Sequence, residues 1–228
     1  MQYLFDAWCQ DPRPLLFTEF LEEVNGFLAL PEPLLNELDR QWEEPTSPSE
    51  RELATLCREC RHRTGLGQLF AVCFAGINHL EEYHNQYGRE SGERVLALVS
   101  QILRDVVKGL CSSDGFMAHV GRDDFIFVIP LDAIPDVCGE VLEVFDTLIP
   151  YQYNEQDRRA GYSVSKDRRG QPYRVPLITL SLGVVTNEHR KFQHFSQIAE
   201  LAREMQSYAK TQAGSVFVVD RRDDPAER

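Results

Sequence analysis

The sequence has no run of apolar residues long enough to cross a lipid bilayer, which takes about 20 residues in a helix. Its first residues, 1–11, also lack the basic start and the sustained apolar core of a secretory signal peptide. These two absences argue against an integral membrane protein and against a secreted one. We therefore predict a cytoplasmic location and no membrane partner.

The chain also lacks an excess of positive charge. Its 24 Lys and Arg stand against 36 Asp and Glu, which gives a formal net charge of −12. A field of that sign repels the phosphate backbone of DNA, so DNA is not expected as a partner. A nucleotide is still compatible as a ligand, because local Arg, Lys or Mg²⁺ neutralise its few phosphates.

The six cysteines lack the paired spacing of a structural zinc site. Cys57 and Cys60 form a single CxxC with His62 nearby, whereas a zinc site of this kind needs a second pair. We interpret Cys57 and Cys60 as two thiols one turn apart on a helix. What the sequence does contain is 43% hydrophobic residues in 228, enough for one domain with an appendage or for two small domains.

Residues 1–62 are predicted to form a helical N-terminal extension. Apolar residues recur at helical spacing in its first part, and a linker rich in Pro, Ser and Glu follows near 43–49. Ser49 and Glu52 have the spacing of a capping box for a helix that ends near residue 62. The extension is too short to bury a core by itself, so we expect it to pack on the main domain or on a second copy.

Residues 63–220 contain the alternating elements of a mixed domain. Continuous apolar runs predict strands, and apolar residues three and four positions apart predict helices. The expected elements are a strand at 69–77, a polar segment at 78–88, a helix at 91–108, a hairpin at 116–130, a helix at 135–149, a strand at 177–186, a helix at 194–210 and a strand at 215–219. A charged tail follows at 221–228.

A polar, basic insert at 151–176 interrupts this order. Fragments 161–166 and 171–175 are predicted to pair as a protruding hairpin around a turn at 167–170. Two interpretations stay open: a surface for a partner or a ligand, and a solvated hairpin whose charge offsets the acidic surface. The basic residues of the insert are Arg158, Arg159, Lys166, Arg168, Arg169 and Arg174.

The order β-α-β-β-α-insert-β-α-β predicts an α+β fold. Its first six elements match the ferredoxin-like arrangement, an antiparallel sheet with helices on one face, which is also the geometry of a nucleotide-polymerising palm. Right-handed crossovers place the first strand and the hairpin side by side at the centre of the sheet. The loop after Ile77 is therefore expected close to Asp123.

The tip of the hairpin carries two adjacent carboxylates, Asp123 and Asp124. Mg²⁺ prefers oxygen ligands, so a pair of carboxylates at a turn suits a cation held beside nucleotide phosphates. Asp and Gly are also ordinary turn residues, and a solvated turn explains the same sequence. The tip alone leaves both interpretations open.

In several places the sequence resembles the GGDEF, or diguanylate cyclase, domains of bacterial signalling proteins, which join two GTP molecules into cyclic di-GMP. Residues 121–125, Gly-Arg-Asp-Asp-Phe, stand where that family has its Gly-Gly-Asp/Glu-Glu-Phe signature. Further matches follow in the right order at 76–88, 91–96, 179–184 and 208–210. The charged insert resembles that of one subgroup of these domains. The resemblance covers about residues 63–219 and implies the fold predicted above.

Departures from the family pattern fall on the residues that the resemblance assigns to metal and phosphate. The first metal-binding Asp of the family falls on Gly76 and the second on Asn78. Asp123 is left as the expected metal ligand, with Mg²⁺ expected only if a nucleotide binds and no other cofactor predicted. Arg122 replaces the glycine that lets the phosphates approach, and Asp124 replaces a longer Glu.

The residues that read guanine in the family also differ here. The resemblance assigns that role to His84 and Glu93, where the family has Asn and Asp, and it keeps Lys210 for phosphate. Nucleotide contacts are therefore expected from His84, Glu93, Arg122 and Lys210. The inhibitory Arg-x-x-Asp of the family falls on Ser112 and Gly115, so we expect no inhibitory cyclic di-GMP site of that type.

Three functions follow from the resemblance. The first is a degenerate, inactive GGDEF domain (signature Gly121, Arg122, Asp123, Asp124 and Phe125) that acts in signalling through contact with another protein or with a second copy. The second is a receptor that binds GTP or cyclic di-GMP without turnover, through Arg122, Lys210 or the basic insert. The third is a residual diguanylate cyclase that works as a dimer with one Mg²⁺ on Asp123.

Overall fold

The computed structural model describes residues 48–120, 123–166, 169–190, 192 and 195–222. The helices predicted within 1–42, the tip residues Gly121 and Arg122, and Arg168 lie outside the described residues. The described helices are α1 Pro48–Gly65, α2 Leu80–Tyr87, α3 Arg89–Cys111, α4 Ile134–Leu148, α5 Glu155–Ala160 and α6 Phe195–Ala209. The described strands are β1 Phe70–Asn78, β2 Phe116–Val120, β3 Asp124–Pro130, β4 Tyr162–Lys166, β5 Pro172–Pro176, β6 Thr179–Thr186 and β7 Val216–Val219.

Five strands form the central sheet in the order β2-β3-β1-β6-β7. The pairs β2–β3, β3–β1 and β1–β6 are antiparallel, and β6–β7 is parallel because α6 crosses back between them. The α+β fold is confirmed, as is the prediction that the first strand lies beside the hairpin at the centre. None of the described helices is both long and apolar enough to span a membrane.

Helices cover both faces of this sheet. Helices α2, α3 and α4 pack on one face through apolar residues such as Val95, Val99 and Val141, all fully buried. Helices α1 and α6 pack on the other face, where Leu56 and Ala202 are buried. The first six elements were predicted to place their helices on one face of the sheet, which is where α2, α3 and α4 lie. Helices α1 and α6 form a layer on the other face. Burying each such aliphatic side chain contributes roughly 1.5–3 kcal/mol relative to exposure.

Two short helices were not predicted from the sequence. Helix α2 lies in the segment 78–88, which was predicted only as polar, and it buries Leu80 and Tyr83 on one face. Helix α5 has six residues within the insert and is capped at its N-terminus by Asn154, whose side chain accepts from the backbone N–H of Asp157 at 2.8 Å. Segments this short carry too few apolar positions for a helical period to stand out.

The insert is fixed to α2 through the buried side chain of Asp157. Tyr87 donates its hydroxyl hydrogen bond to Asp157 Oδ2, and Gln86 Nε2 donates to the same oxygen at 2.9 Å. Burial raises the pKa of Tyr87, and the hydrogen bond to Asp157 raises it further. The phenol therefore keeps its proton and remains a donor to the carboxylate.

Three tyrosine rings complete this junction. Tyr83 stacks on Tyr87 with the ring centroids 4.7 Å apart, and Tyr153 meets both rings edge-on. Tyr83 Oη donates to the carbonyl of Gln152 at 2.7 Å, and the N–H of Ile178 donates to Tyr153 Oη at 2.9 Å. The predicted hairpin of the insert is confirmed as β4 paired with β5, and both of its ends are tied to the domain.

Candidate functional site

The candidate site lies where β1 ends between its two neighbouring strands. In the register of the sheet, Gly76 pairs with Asp124 of β3 on one side and with Ser181 of β6 on the other. Successive residues of a strand alternate between the two faces, so position 76 faces the same side as Phe74, which packs under α1 and α6. The sequence prediction that the end of β1 meets the hairpin is confirmed.

The side chain of Gln206 on α6 occupies the space beside Gly76. A Cβ atom built on Gly76 would overlap Gln206 Nε2 and would lie 3.2 Å from Asp124 Oδ1. Gln206 is only 3% exposed, and its Nε2 is buried without a hydrogen-bond partner. The position that the resemblance assigns to a metal-binding carboxylate is thus filled by an amide nitrogen, a hydrogen-bond donor.

Gln206 reaches this position because α6 lies directly against β6. A Cβ atom on Gly183 would overlap Ala202 O and Gln206 N, and it would lie 2.8 Å from the carbonyl carbon of Met205. Only glycine permits that approach of helix backbone to strand. Sequence reasoning missed Gln206, although one signal was present: it is a polar residue directly after Met205 in the apolar stripe of the helix.

Asn78, at the second predicted metal position, is held by hydroxyl groups of β6. Its amide nitrogen donates to Thr179 Oγ1 at 2.9 Å and to Ser181 Oγ at 2.7 Å. Its Oδ1 is buried and has no hydrogen-bond partner. The two hydrogen bonds fix the orientation of the amide and leave Oδ1 as its only acceptor, and because that oxygen is neutral, Asn78 is a poor substitute for a carboxylate ligand.

The two carboxylates of the hairpin lie at the start of β3. Burial raises the pKa of Asp124 and the neighbouring Asp123 raises it further, against the opposing effect of Lys210, Arg203 and His119. Among the residues that the structure describes, no group of three His, Cys, Asp or Glu could hold a metal ion. Gly76 and Asn78 provide no carboxylate at the two metal positions of the resemblance, so the residues present do not fit its Mg²⁺ site, and the assignment of a cation to Asp123 stays a prediction.

The raised pKa of Asp124 predicts a pH dependence of stability. The folded state binds this proton more tightly than the unfolded state, so stability falls as the pH rises from 3.8 through the raised value. We expect Asp124→Asn to remove this fall and to raise the free energy of unfolding at pH 7. Urea unfolding of both proteins between pH 4 and pH 7 gives the free energy of unfolding of each at every pH. The variant should gain stability relative to the wild type as the pH rises. A stability difference that does not change with pH, or that moves in favour of the wild type, contradicts the prediction.

His84 and Glu93, the two residues assigned to guanine, lie on either side of the junction between α2 and α3. The His84 ring lies over Gly92, so that a Cβ atom at position 92 would overlap it. His84 Nε2 is buried without a hydrogen-bond partner. Glu93 is exposed and accepts from Arg89 Nε at 3.0 Å. The structure thus places the His84 ring against Gly92, the residue before Glu93, on the side of the sheet opposite to Gln206.

Within the described part of the chain, three buried side-chain nitrogen or oxygen atoms have no hydrogen-bond partner. They are Asn78 Oδ1, His84 Nε2 and Gln206 Nε2. Unpaired buried polar atoms are rare in folded proteins because each one has lost its water without a replacement. Asn78 and His84 stand at positions that the resemblance assigns to the metal and to the base, and Gln206 fills the space beside Gly76. Asn78 Oδ1 and Gln206 Nε2 lie at this end of β1, and His84 Nε2 lies on the opposite side of the sheet.

Of the other predicted site residues, Lys210 directly follows α6, one turn after Gln206. The backbone N–H of Lys210 donates to the carbonyl of Gln206 at 2.9 Å. Phe125 is fully buried in the core and stacks on His119, so it is a packing residue of β3. Arg158 and Arg159 are exposed on α5, and Arg169 lies in the turn between β4 and β5.

Comparison with protein families identifies the family of the chain. The model of the family described as "Diguanylate cyclase, GGDEF domain" matches residues 49–215. The chain belongs to the GGDEF domain family. A comparison with curated proteins finds no match.

Solved GGDEF structures share the fold at low sequence identity. An active GGEEF domain of a diguanylate cyclase from Vibrio cholerae is 16% identical with a TM-score of 0.54, covering 72% of this chain and 91% of that one. The GGDEF domain of DgcB from Caulobacter crescentus, in complex with c-di-GMP, is 19% identical with a TM-score of 0.52 and covers 72% and 85%. Diguanylate cyclase SiaD from Pseudomonas aeruginosa, in complex with its activator SiaC, is 18% identical with a TM-score of 0.55 and covers 88% and 72%.

Proposed function

We propose that this GGDEF domain does not cyclise GTP and acts in bacterial cyclic di-GMP signalling through contact with a protein. The observation that carries the proposal is the amide of Gln206 in the space beside Gly76. A phosphate-bound Mg²⁺ needs acceptor oxygens and negative charge at that point. Gly76 has no side chain to supply them, and the Gln206 amide that fills the space is neutral. The hydroxyl-bound amide of Asn78 removes the second charge.

The geometry of Asp124 supports the same proposal. Asp124 is one methylene shorter than the Glu of the family signature, so a base at this position stops about 1 Å short of a ribose hydroxyl. Its carboxyl is half-buried and lies close to the space that Gln206 fills. The SiaD structure, which contains a protein activator, shows a GGDEF relative in contact with another protein, and we extend that kind of contact to this chain.

The experiment that tests the proposal is product analysis after incubation of the purified protein with GTP and Mg²⁺. We expect no cyclic di-GMP above a blank without protein. Asp123→Ala is the control variant, because Asp123 is the expected metal ligand of any residual cyclase. Steady production of cyclic di-GMP that Asp123→Ala abolishes would overturn the proposal and establish the residual cyclase.

A receptor that binds GTP or cyclic di-GMP without turnover is the second candidate function. The unpaired His84 Nε2 favours it, because the His84 ring lies over Gly92, the residue before Glu93, and a carboxylate accepts hydrogen bonds from a guanine edge. Lys210 would then neutralise phosphate. Calorimetry with each nucleotide tests this function: heat at sub-millimolar ligand that His84→Ala removes supports it, and no heat rules it out.

A further inference from the structure

The insert carries two arginines that lie over tyrosine rings. The Arg158 guanidinium carbon lies 5.2 Å from the centroid of the Tyr151 ring, and that of Arg174 lies 4.5 Å from the Tyr162 ring. Both arginines are exposed, and neither has a carboxylate partner among the described residues. Stacking on a ring holds a guanidinium in place while its N–H groups stay available to a bidentate acceptor.

The insert is tied to the domain and is partly apolar. Asp157 and Tyr153 hold it through the hydrogen bonds described above. In the hairpin, Val164 pairs with Arg174 across β4 and β5 and is 50% exposed. Arg and Tyr are enriched at the energetically important positions of protein interfaces.

The charge of the insert is opposite to that of the rest of the chain. Within 151–176 six basic residues face three acidic ones, an excess of three positive charges in a chain of net charge −12. The residues outside the insert therefore carry a net charge that is three units more negative than that of the whole chain. A basic patch on an acidic protein is electrostatically complementary to another copy of the same protein.

The outer face of α4 provides the matching surface. Asp136, Glu140 and Glu143 follow one another at i, i+4 and i+7, so they share one face of the helix, and all three are exposed. Helix α4 contains no Lys or Arg, and none of these carboxylates has a basic partner among the described residues. Like charges at this spacing repel each other and destabilise a helix unless cations from outside neutralise them.

We propose that a second copy of this chain docks here, with the insert of each copy on the α4 face of the other. Because each copy carries both surfaces, a two-fold arrangement engages two such contacts at once. The carboxylates of α4 accept hydrogen bonds from Arg158 and Arg174, and Val164 packs in the centre. The inference rests on the proposed function as a protein-contact module and names its partner as a second copy.

The test is sedimentation equilibrium of the full chain at low and at high ionic strength. We expect a dimer at low salt that dissociates at high salt, because exposed charge pairs are screened. Arg158→Glu with Arg174→Glu, and separately Glu140→Arg with Glu143→Arg, should each weaken the dimer by at least about tenfold. Arg104→Glu with Lys108→Glu on α3 matches the charge change of the first variant and should leave the dimer as it is.

Mixing the two interface variants gives the decisive result. Each variant alone meets like charge, whereas a one-to-one mixture restores opposite charge at both contacts and should dimerise again. Circular dichroism confirms that each variant is folded. A monomeric wild type at low salt, a dimer that survives either charge reversal, or a mixture that stays monomeric would each overturn the inference. Such a result leaves the proposed lack of turnover standing, because product analysis alone decides that.

Discussion

Replacing Gly183 with alanine should cost about 3 kcal/mol of unfolding free energy, near the upper end of what overpacking a core usually costs. The added Cβ would overlap the backbone of α6 at Ala202 and Gln206, and backbone atoms cannot rotate away as side-chain ends can. Helix α6 would have to shift away from β6 and would withdraw Ala202 from the core of that face. Urea unfolding followed by circular dichroism measures the loss.

A second glycine provides the matched control for this substitution. Gly139 lies in the middle of α4, and a Cβ built there meets no atom within 4 Å. Gly139→Ala should leave stability unchanged or raise it by about 0.5–1 kcal/mol, because alanine favours a helix. If Gly183→Ala and Gly139→Ala unfolded at the same urea concentration, the close contact of α6 with β6 would be wrong, and with it the position of Gln206.

Restoring the carboxylates should restore cation binding only when Gln206 is removed as well. We expect the variant Gly76→Asp, Asn78→Asp, Gln206→Ala to bind Mn²⁺ in the presence of GTP at least about tenfold more tightly than the wild type, a gain of ~1.4 kcal/mol. Two carboxylates would then face Asp124 across a space that the shortened residue 206 leaves open. Gly76→Asp alone should gain little, because the Gln206 amide must first leave its buried position.

Titration of Mn²⁺ followed by electron paramagnetic resonance measures this gain. The matched control is Gly76→Asn with Gln206→Ala, which keeps the native Asn78 and so has the same shape as the triple variant without its charge. Equal Mn²⁺ affinity in the wild type and in the triple variant would contradict the account, because the missing ligands would then not limit cation binding.

The helices and strands that the sequence predicted are those with a long apolar period. Helix α3 repeats buried residues over Arg89–Cys111, and the hairpin of β2 and β3 has apolar runs on both sides of a polar tip. These patterns are local, so neighbouring residues alone encode them. Helices α2 and α5 were missed because eight and six residues are too few to show such a pattern.

The candidate site was predicted only in part, because it depends on contacts between distant positions. Family motifs placed Gly76, Asn78 and Asp124 together, and the register of the sheet agrees. The contact of Gln206 with position 76 joins residues far apart in the chain, and it exists because Gly183 lets α6 approach β6. No periodicity in the sequence encodes that approach. The burial of Asp157 against α2 was missed for the same reason.

The most direct test of the central claim is a crystal structure grown with Mn²⁺ and a non-hydrolysable GTP analogue, recorded at a wavelength where manganese scatters anomalously. Manganese is the appropriate probe because it accepts the same oxygen ligands as Mg²⁺. We predict no anomalous peak between Gly76, Asn78 and Asp124, with the Gln206 amide still beside Gly76. Two well-ordered manganese peaks in that space would contradict the account.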